Sequence, residues 1–317
     1  MQFYDIFNGD ADGICALQQL RLEEPRDSVL ITGVKRDIHL LARVDAKAGD
    51  DLTVLDISLR TNVKDLQRLL DTGVRCRYFD HHASGEIPDH PNLKAFIDVS
   101  PDACTSLIVD RYLNGRHRLW AIVAAFGDNL AAAALRAAAT LNVDPGDLER
   151  LKILGEVMNY NAYGETVDDL HYPPADLFEA LRSYRDPLDF INGEPVFETL
   201  RNVLADDMER ARGLVPASRS PRGALYVLPD AAWSRRIHGH FGNRLASSEP
   251  ERATAVLVKK DRGYAVSVRA PRARPRGAEA LCAKFESGGG REAAAGINFL
   301  PDSDYSRFVA EFEKAFG

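Results

Sequence analysis

The chain has 317 residues, of which 45% are hydrophobic and 27% charged. That is the composition of a globular protein long enough for two domains, and no run approaches the ~20 apolar residues of a membrane span. The net charge of −7 is uneven: from Arg222 onward 16 Lys and Arg face 11 Asp and Glu, which leaves 24 against 36 in the first 221 residues. Duplex affinity comes largely from neutralising many phosphates, so a long duplex is an unsuitable partner for so acidic a protein.

The opening MQFYDIFNGDADG enters a strand-like run at once and lacks the basic and apolar segments of a signal peptide; a cytoplasmic location is expected. Over the first hundred residues, strands are predicted at Phe3–Phe7, Val29–Val34, Leu52–Ile57, Arg75–Phe79 and Lys94–Ile97. Helices are predicted at Gly13–Leu22 and Asn62–Leu70, with Asn62 as N-cap. This alternation predicts a mainly parallel sheet flanked by helices. From Asp102 to about Arg185 the pattern is mostly helical, and Trp120–Ala139 is expected as a helix or helix pair broken near Gly127. Pro, Ser, Gly and Arg gather at 214–223, marking an interdomain linker. Beyond it, strands are predicted at Ala224–Leu228, Thr254–Lys259 and Tyr264–Arg269, and helices at Trp233–Ala246, Gly277–Phe285 and Tyr305–Phe316. The expected fold class is therefore α/β, with a smaller C-terminal α/β domain, an active-site cleft between the two, and domains at 1–200 and 223–317 joined by a 201–222 linker. Cys15, Cys76, Cys104 and Cys282 are scattered without a CxxC pair and are expected as buried thiols.

Three early strands run into acidic residues: Asn8-Gly-Asp10-Ala-Asp12-Gly13, Asp56 in VLDIS, and Asp80-His81-His82. Ligands of open parallel sheets bind beyond the carboxyl ends of the strands, so these loops are expected to share one crevice. Close carboxylates cannot all stay ionised without cations among them. Oxygen donors with imidazole suit Mn²⁺, with Mg²⁺ as a substitute, in one or two ions. Such ions serve phosphoryl hydrolysis. Near the C-terminus, Gly288-Gly289-Gly290-Arg291-Glu-Ala-Ala-Ala-Gly296 is expected to open a small-residue helix whose N–H groups, with Arg291, hold an anion.

With these motifs in this order, the sequence resembles the DHH phosphoesterase family, in its form with a DHH-associated C-terminal domain, from residue 8 to residue 296. It is closest in kind to the bacterial oligoribonuclease (nanoRNase) and cyclic-dinucleotide phosphodiesterase branches. The resemblance implies metal ligation by Asp10, Asp12, Asp56, His81 and Asp128, with Asp56 bridging. It implies that His82 faces the scissile phosphate and that Asp80 orients the imidazoles. Asp98, Thr105 and Ser106 match family positions at which turn or N-cap roles compete. In the second domain it implies nucleotide contacts from Asn243, Arg269, Gly288, Gly289, Gly290 and Arg291. Two departures stand out: Asn8, a weaker possible ligand, holds a position where the family commonly has His, and Arg291 holds another.

His39, His90, His117 and His171 are expected as surface or turn residues, and Tyr160 and Tyr163 either stack a base or serve the core. The activity implied is Mn²⁺-dependent hydrolysis of short linear nucleotides such as pGpG or pApA, with a homodimer possible. A cyclic-dinucleotide phosphodiesterase, a 3′-phosphoadenosine 5′-phosphate phosphatase, a single-strand exonuclease and a non-catalytic nucleotide-binding regulator are the alternatives.

Overall fold

A computed structural model describes all 317 residues and divides them into two compact units, Met1–Asn202 and Val203–Gly317. The first opens with β1 (Phe3–Phe7), α1 (Ala11–Glu23), β2 (Val29–Ile31), β3 (Asp51–Leu55), α2 (Leu59–Asp71), β4 (Arg75–Asp80) and β5 (Leu93–Ile97). All five strands are parallel, in the order β2-β1-β3-β4-β5. The chain winds outward in one direction from β1 to β2 and in the other from β3 to β5. The strand order thus reverses between β1 and β3, which opens a crevice beyond their carboxyl ends.

One sheet face carries Ile6, Val54 and Tyr78 and is covered by Leu59, Leu66, Leu69 and Leu70 of α2, all fully buried or nearly so. The N-cap of α2 is Ser58, not Asn62 as predicted. Asn62 is buried one turn inside the helix, where its amide donates to the Ile38 and Ser58 carbonyls and accepts from the Leu41 N–H. The apolar positions matched a helix, but the polar residue at its apparent start has a tertiary role.

Helices follow: α3 (Thr105–Tyr112), α4 (Arg118–Gly127), α5 (Ala131–Ala138), α6 (Pro145–Asn161), α7 (Pro174–Leu181), α8 (Pro187–Gly193) and α9 (Pro195–Arg212). The break near Gly127 separates α4 from α5. α4 and α6 cross closely enough that a Cβ on Gly155 would lie 2.1 Å from the Val123 carbonyl oxygen. Position 155 therefore admits only glycine without moving a helix. Helix α9 occupies much of the stretch expected to be linker and continues through the division into the second unit.

The second unit holds β6 (Ser218–Arg219), β7 (Gly223–Leu228), α10 (Ala232–Ser248), β8 (Ala253–Lys260), β9 (Gly263–Arg269), α11 (Ala278–Cys282), β10 (Gly288–Arg291), β11 (Ala294–Pro301) and α12 (Tyr305–Phe316). Its mixed sheet runs β10-β11-β9-β8-β7-β6. Phe285, Phe308, Phe312 and Phe316 pack with Leu257, Val266 and Ile297 on one side. The expected helix at Gly288–Gly296 is instead the hairpin β10–β11, with Gly289 opposite Gly296. Ala-rich sequence favours helix locally, but here the ladder from β11 to β9 overrides that preference. No helix N-terminus is present there to hold an anion. All four cysteines are buried free thiols. No helix is long and apolar enough to cross a membrane.

A buried ion pair ties the first unit together. Arg21 of α1 grips Asp5 of β1 through two parallel bonds of 2.7 and 2.6 Å and also reaches Thr53 of β3 at 3.2 Å. Ser28 donates to the same carboxylate. Removing one partner of such a pair strands a charge out of water. Arg21→Ala is expected to destabilise the protein by about 3–5 kcal/mol in chemical denaturation. The double variant Asp5→Ala/Arg21→Ala should lose less than the sum of the two single changes.

Candidate metal centre

The site is assembled at backbone discontinuities just past the ends of β1, β3, β4 and α4. Asp10 is the N-cap of α1: its Oδ1 accepts from the N–H groups of Asp12 and Gly13 at 3.0 and 3.1 Å. Gly13 has no alternative, since a Cβ there would sit 2.1 Å from the Asn8 carbonyl oxygen. Asp12, in the first turn, is gripped from across the crevice by the N-terminus of α3. The N–H groups of Thr105 and Ser106 each donate 2.7 Å bonds to its two oxygens.

Asp56 follows β3 in the left-handed region, with φ 60°. Its N–H is tied to the Phe79 carbonyl of β4 at 3.0 Å, and its Oδ1 accepts from the Thr105 hydroxyl at 3.0 Å. Non-glycine residues in this conformation carry a conformational cost and cluster at functional sites. His81 stands just beyond β4. Its Nε2 lies 3.4 Å from Asp56 Oδ1, 3.8 Å from Asp128 Oδ2 and 4.0 Å from Asp12 Oδ2. Asp128, the C-cap of α4, therefore joins the cluster that the resemblance assigned to it.

These donors suit a divalent ion. Ligand atoms of Asp12, His81 and Asp128 lie within 4.8 Å of one another, as do those of Asp56, His81 and His82. Burial, followed by the charges of Asp12, Asp10 and Asp128, raises the Asp56 carboxyl well above the ordinary carboxylate range. Asp12 is raised as well, first by burial, against the favourable charge of His81. Carboxylates so crowded are protonated or neutralised by a cation. Three carboxylates and one imidazole are the hard, mixed oxygen–nitrogen set that Mn²⁺ and Mg²⁺ accept.

His82 is half-exposed. Its Nδ1 is bound to the fully buried Asp80 at 2.7 Å. Burial lowers the imidazole's pKa, but the hydrogen bond and charge of Asp80 more than offset it, so the pKa is raised. His82 is thereby fixed in orientation, with Nε2 as its second nitrogen.

Lys35, four residues past β2, is the functional residue that motif reading missed. Its ammonium pairs with Asp10 Oδ2 and reaches Asp128 Oδ1 at 3.4 Å and Asn159 Oδ1 at 3.1 Å. Burial works against the charge, but Asp10, Tyr163 and Asp128 hold the ammonium well above its usual range. On the other side of the pair, burial would raise Asp10, yet Lys35 and the Gly13 N–H bring it down to about 2. A signal was present: Lys35 directly follows the predicted strand Val29–Val34, the same strand-end position that singled out the carboxylates.

Asn8 faces its own loop. Its Oδ1 accepts from the Asp10 N–H at 3.2 Å and its Nδ2 donates to the Lys35 carbonyl at 3.1 Å. Asp98 closes a turn on Ser100 and pairs with Arg111. Tyr160 is fully buried, with its hydroxyl 3.0 Å from His171, which favours the core role; Tyr163 lies under Lys35. Among the histidines expected at the surface, His117 is buried and faces Glu23. In the second unit, Arg269 Nε donates to Asn243 Oδ1 at 2.7 Å, so these two expected contact residues adjoin. Gly288–Arg291 form the edge strand of that sheet.

No family model matches the chain, and no curated protein matches it. Solved structures do. An exonuclease RecJ bound to manganese superposes with a TM-score of 0.61 at 16% identity, covering 99% of this chain and 89% of that one. The chain shares the fold of this exonuclease. An exopolyphosphatase-related protein from Bacteroides fragilis matches with a TM-score of 0.52 at 15% identity, over 99% and 91% of the two chains. The pGpG-specific phosphodiesterase PggH from Vibrio cholerae gives 0.53 at 12% identity, over 99% and 100%.

Asp56→Asn tests the electrostatic account. Asparagine tolerates the left-handed backbone and removes one of the crowded charges. The metal-free variant should be more stable than wild type by about 1–2 kcal/mol, or about 2–8 °C in Tm, and should lose Mn²⁺ uptake in calorimetry. The folded Asp56 holds its proton to higher pH than the unfolded chain does. Metal-free wild type should therefore lose stability as pH rises above the ordinary carboxylate range, and Asp56→Asn should flatten that slope.

Proposed function

We propose that this chain is a divalent-metal-dependent phosphodiesterase that hydrolyses short linear nucleotides to mononucleotides, with dinucleotides such as pGpG or pApA as substrates and Mn²⁺ as cofactor. The observation that carries this reading is that Asp12, Asp56 and Asp128 each bring a carboxylate oxygen within 4.0 Å of His81 Nε2 at the strand-order reversal. That RecJ is bound to manganese and that PggH is a pGpG-specific phosphodiesterase supports it.

When bound, the metal supplies Lewis-acid polarisation of a phosphoryl oxygen and a more acidic water. The protein's own groups do the rest. Thr105 and Ser106 hold Asp12 in place, and Thr105 also holds Asp56, so these carboxylates are positioned before substrate arrives. Asp80 orients His82 and favours its charged form, and His82 Nε2 donates to a phosphate oxygen as negative charge builds in the transition state. In this proposal Asn243, Arg269, Gly288, Gly289, Gly290 and Arg291 contribute substrate binding from the second unit.

Purified protein with Mn²⁺ should release mononucleotides from pGpG and pApA, resolved by chromatography, and Asp56→Ala should abolish release. His82→Ala should lower kcat by about 10²–10³ with metal content unchanged. Arg291→Ala should raise KM about tenfold, or about 1.4 kcal/mol, with kcat preserved. No turnover of either dinucleotide by the metal-loaded protein would overturn the substrate assignment.

A further inference from the structure

One departure from the family pattern, Asn8, is bonded to Lys35, and together these two residues bear on how many ions the centre holds. Both oxygens of Asp10 are engaged by the protein itself. One oxygen accepts two backbone N–H groups, and the other is paired with the Lys35 ammonium. Both backbone groups of Lys35 are fixed: its N–H donates to the Ala162 carbonyl at 2.9 Å and its carbonyl accepts from the Asn8 amide at 3.1 Å. Asn8, at the position where the family commonly carries a ligating His, thus spends its side chain anchoring the lysine. Asn159 and the Tyr163 ring complete the seat of the ammonium. Asp10 belongs to neither group of mutually close ligand atoms.

We propose that Lys35 is the resident cation of this centre: its ammonium neutralises Asp10 in place of a second metal ion, so the chain binds one divalent ion, at Asp12, Asp56, His81 and Asp128. The inference rests on the metal-centre reading given above and deepens it. A second dication at Asp10 would stand beside a fixed positive charge in a partly desolvated pocket, where repulsion between cations is only weakly screened. Lysine is suited to this post as a compact point charge on a flexible stem, which takes a single carboxylate oxygen without demanding a full coordination sphere.

The test uses the full chain and Mn²⁺ alone. Wild type dialysed against Mn²⁺ should hold one ion per chain by elemental analysis and give the six-line electron paramagnetic resonance spectrum of an isolated Mn²⁺. Lys35→Met removes the charge at similar volume. It should take up a second ion and show the exchange-coupled spectrum of a pair, whereas Lys35→Arg, which keeps the charge, should remain at one. Two coupled ions in wild type with dinucleotide hydrolysis intact would overturn this inference alone. Wild type holding no ion would overturn both it and the metal reading beneath it. The wild-type count decides the matter even if Lys35→Met fails to fold, and a folded Lys35→Met that still holds one ion counts against Lys35 as the excluding charge.

Discussion

Carboxylates that repel one another out of water set the terms for the first unit. Asp10, Asp12 and Asp56 are almost wholly buried, and Asp128 closes the group. A chain left to itself would separate or protonate them. Instead, donors from three places hold them: the first turn of α1 on Asp10, the start of α3 on Asp12 and Asp56, and the Lys35 ammonium on Asp10 and Asp128. Parallel strands deliver the acids to the same end of the sheet, and the reversal between β1 and β3 provides the gap into which they turn.

Rigidity around that gap follows from how the supporting elements meet. The Arg21–Asp5 pair locks α1 onto β1, the strand that delivers Asp10 and Asp12. The tight crossing of α4 and α6 at Gly155 fixes the helix that ends in Asp128, and α6 also carries Asn159 to Lys35. Lys35 is thus held from three sides of the fold, by Asn8, Ala162 and Asn159.

Much of this was legible in the amino-acid order. The five N-terminal strands were placed within a few residues, because short apolar stretches alternate with segments of helical spacing. The clustering of Asp10, Asp12, Asp56 and His81 followed from the strand-end rule, and Asp128 from family resemblance. What the order concealed was tertiary in origin. Asn62 looked like a cap because nothing local shows that Ile38 and Leu41 pack above it. The alanines that suggested a helix at Gly288–Gly296 lie at the start of β11, in register with β9, a partner about 25 residues upstream. Lys35 was overlooked because a single lysine in a loop carries no motif; its meaning depends on Asp10, Asp128 and Asn159, scattered over more than a hundred residues.

The left-handed conformation of Asp56 bears on the order of assembly. Its φ of 60° accompanies an N–H tied to the Phe79 carbonyl of β4, a bond among strands and not to any ion. The sheet itself therefore supplies the bond that sets the Asp56 backbone, and no ion is needed for that bond. In a cell, the ion that fills this centre is chosen by what is abundant when the protein meets it, since intrinsic affinities among divalent metals do not by themselves select the right one.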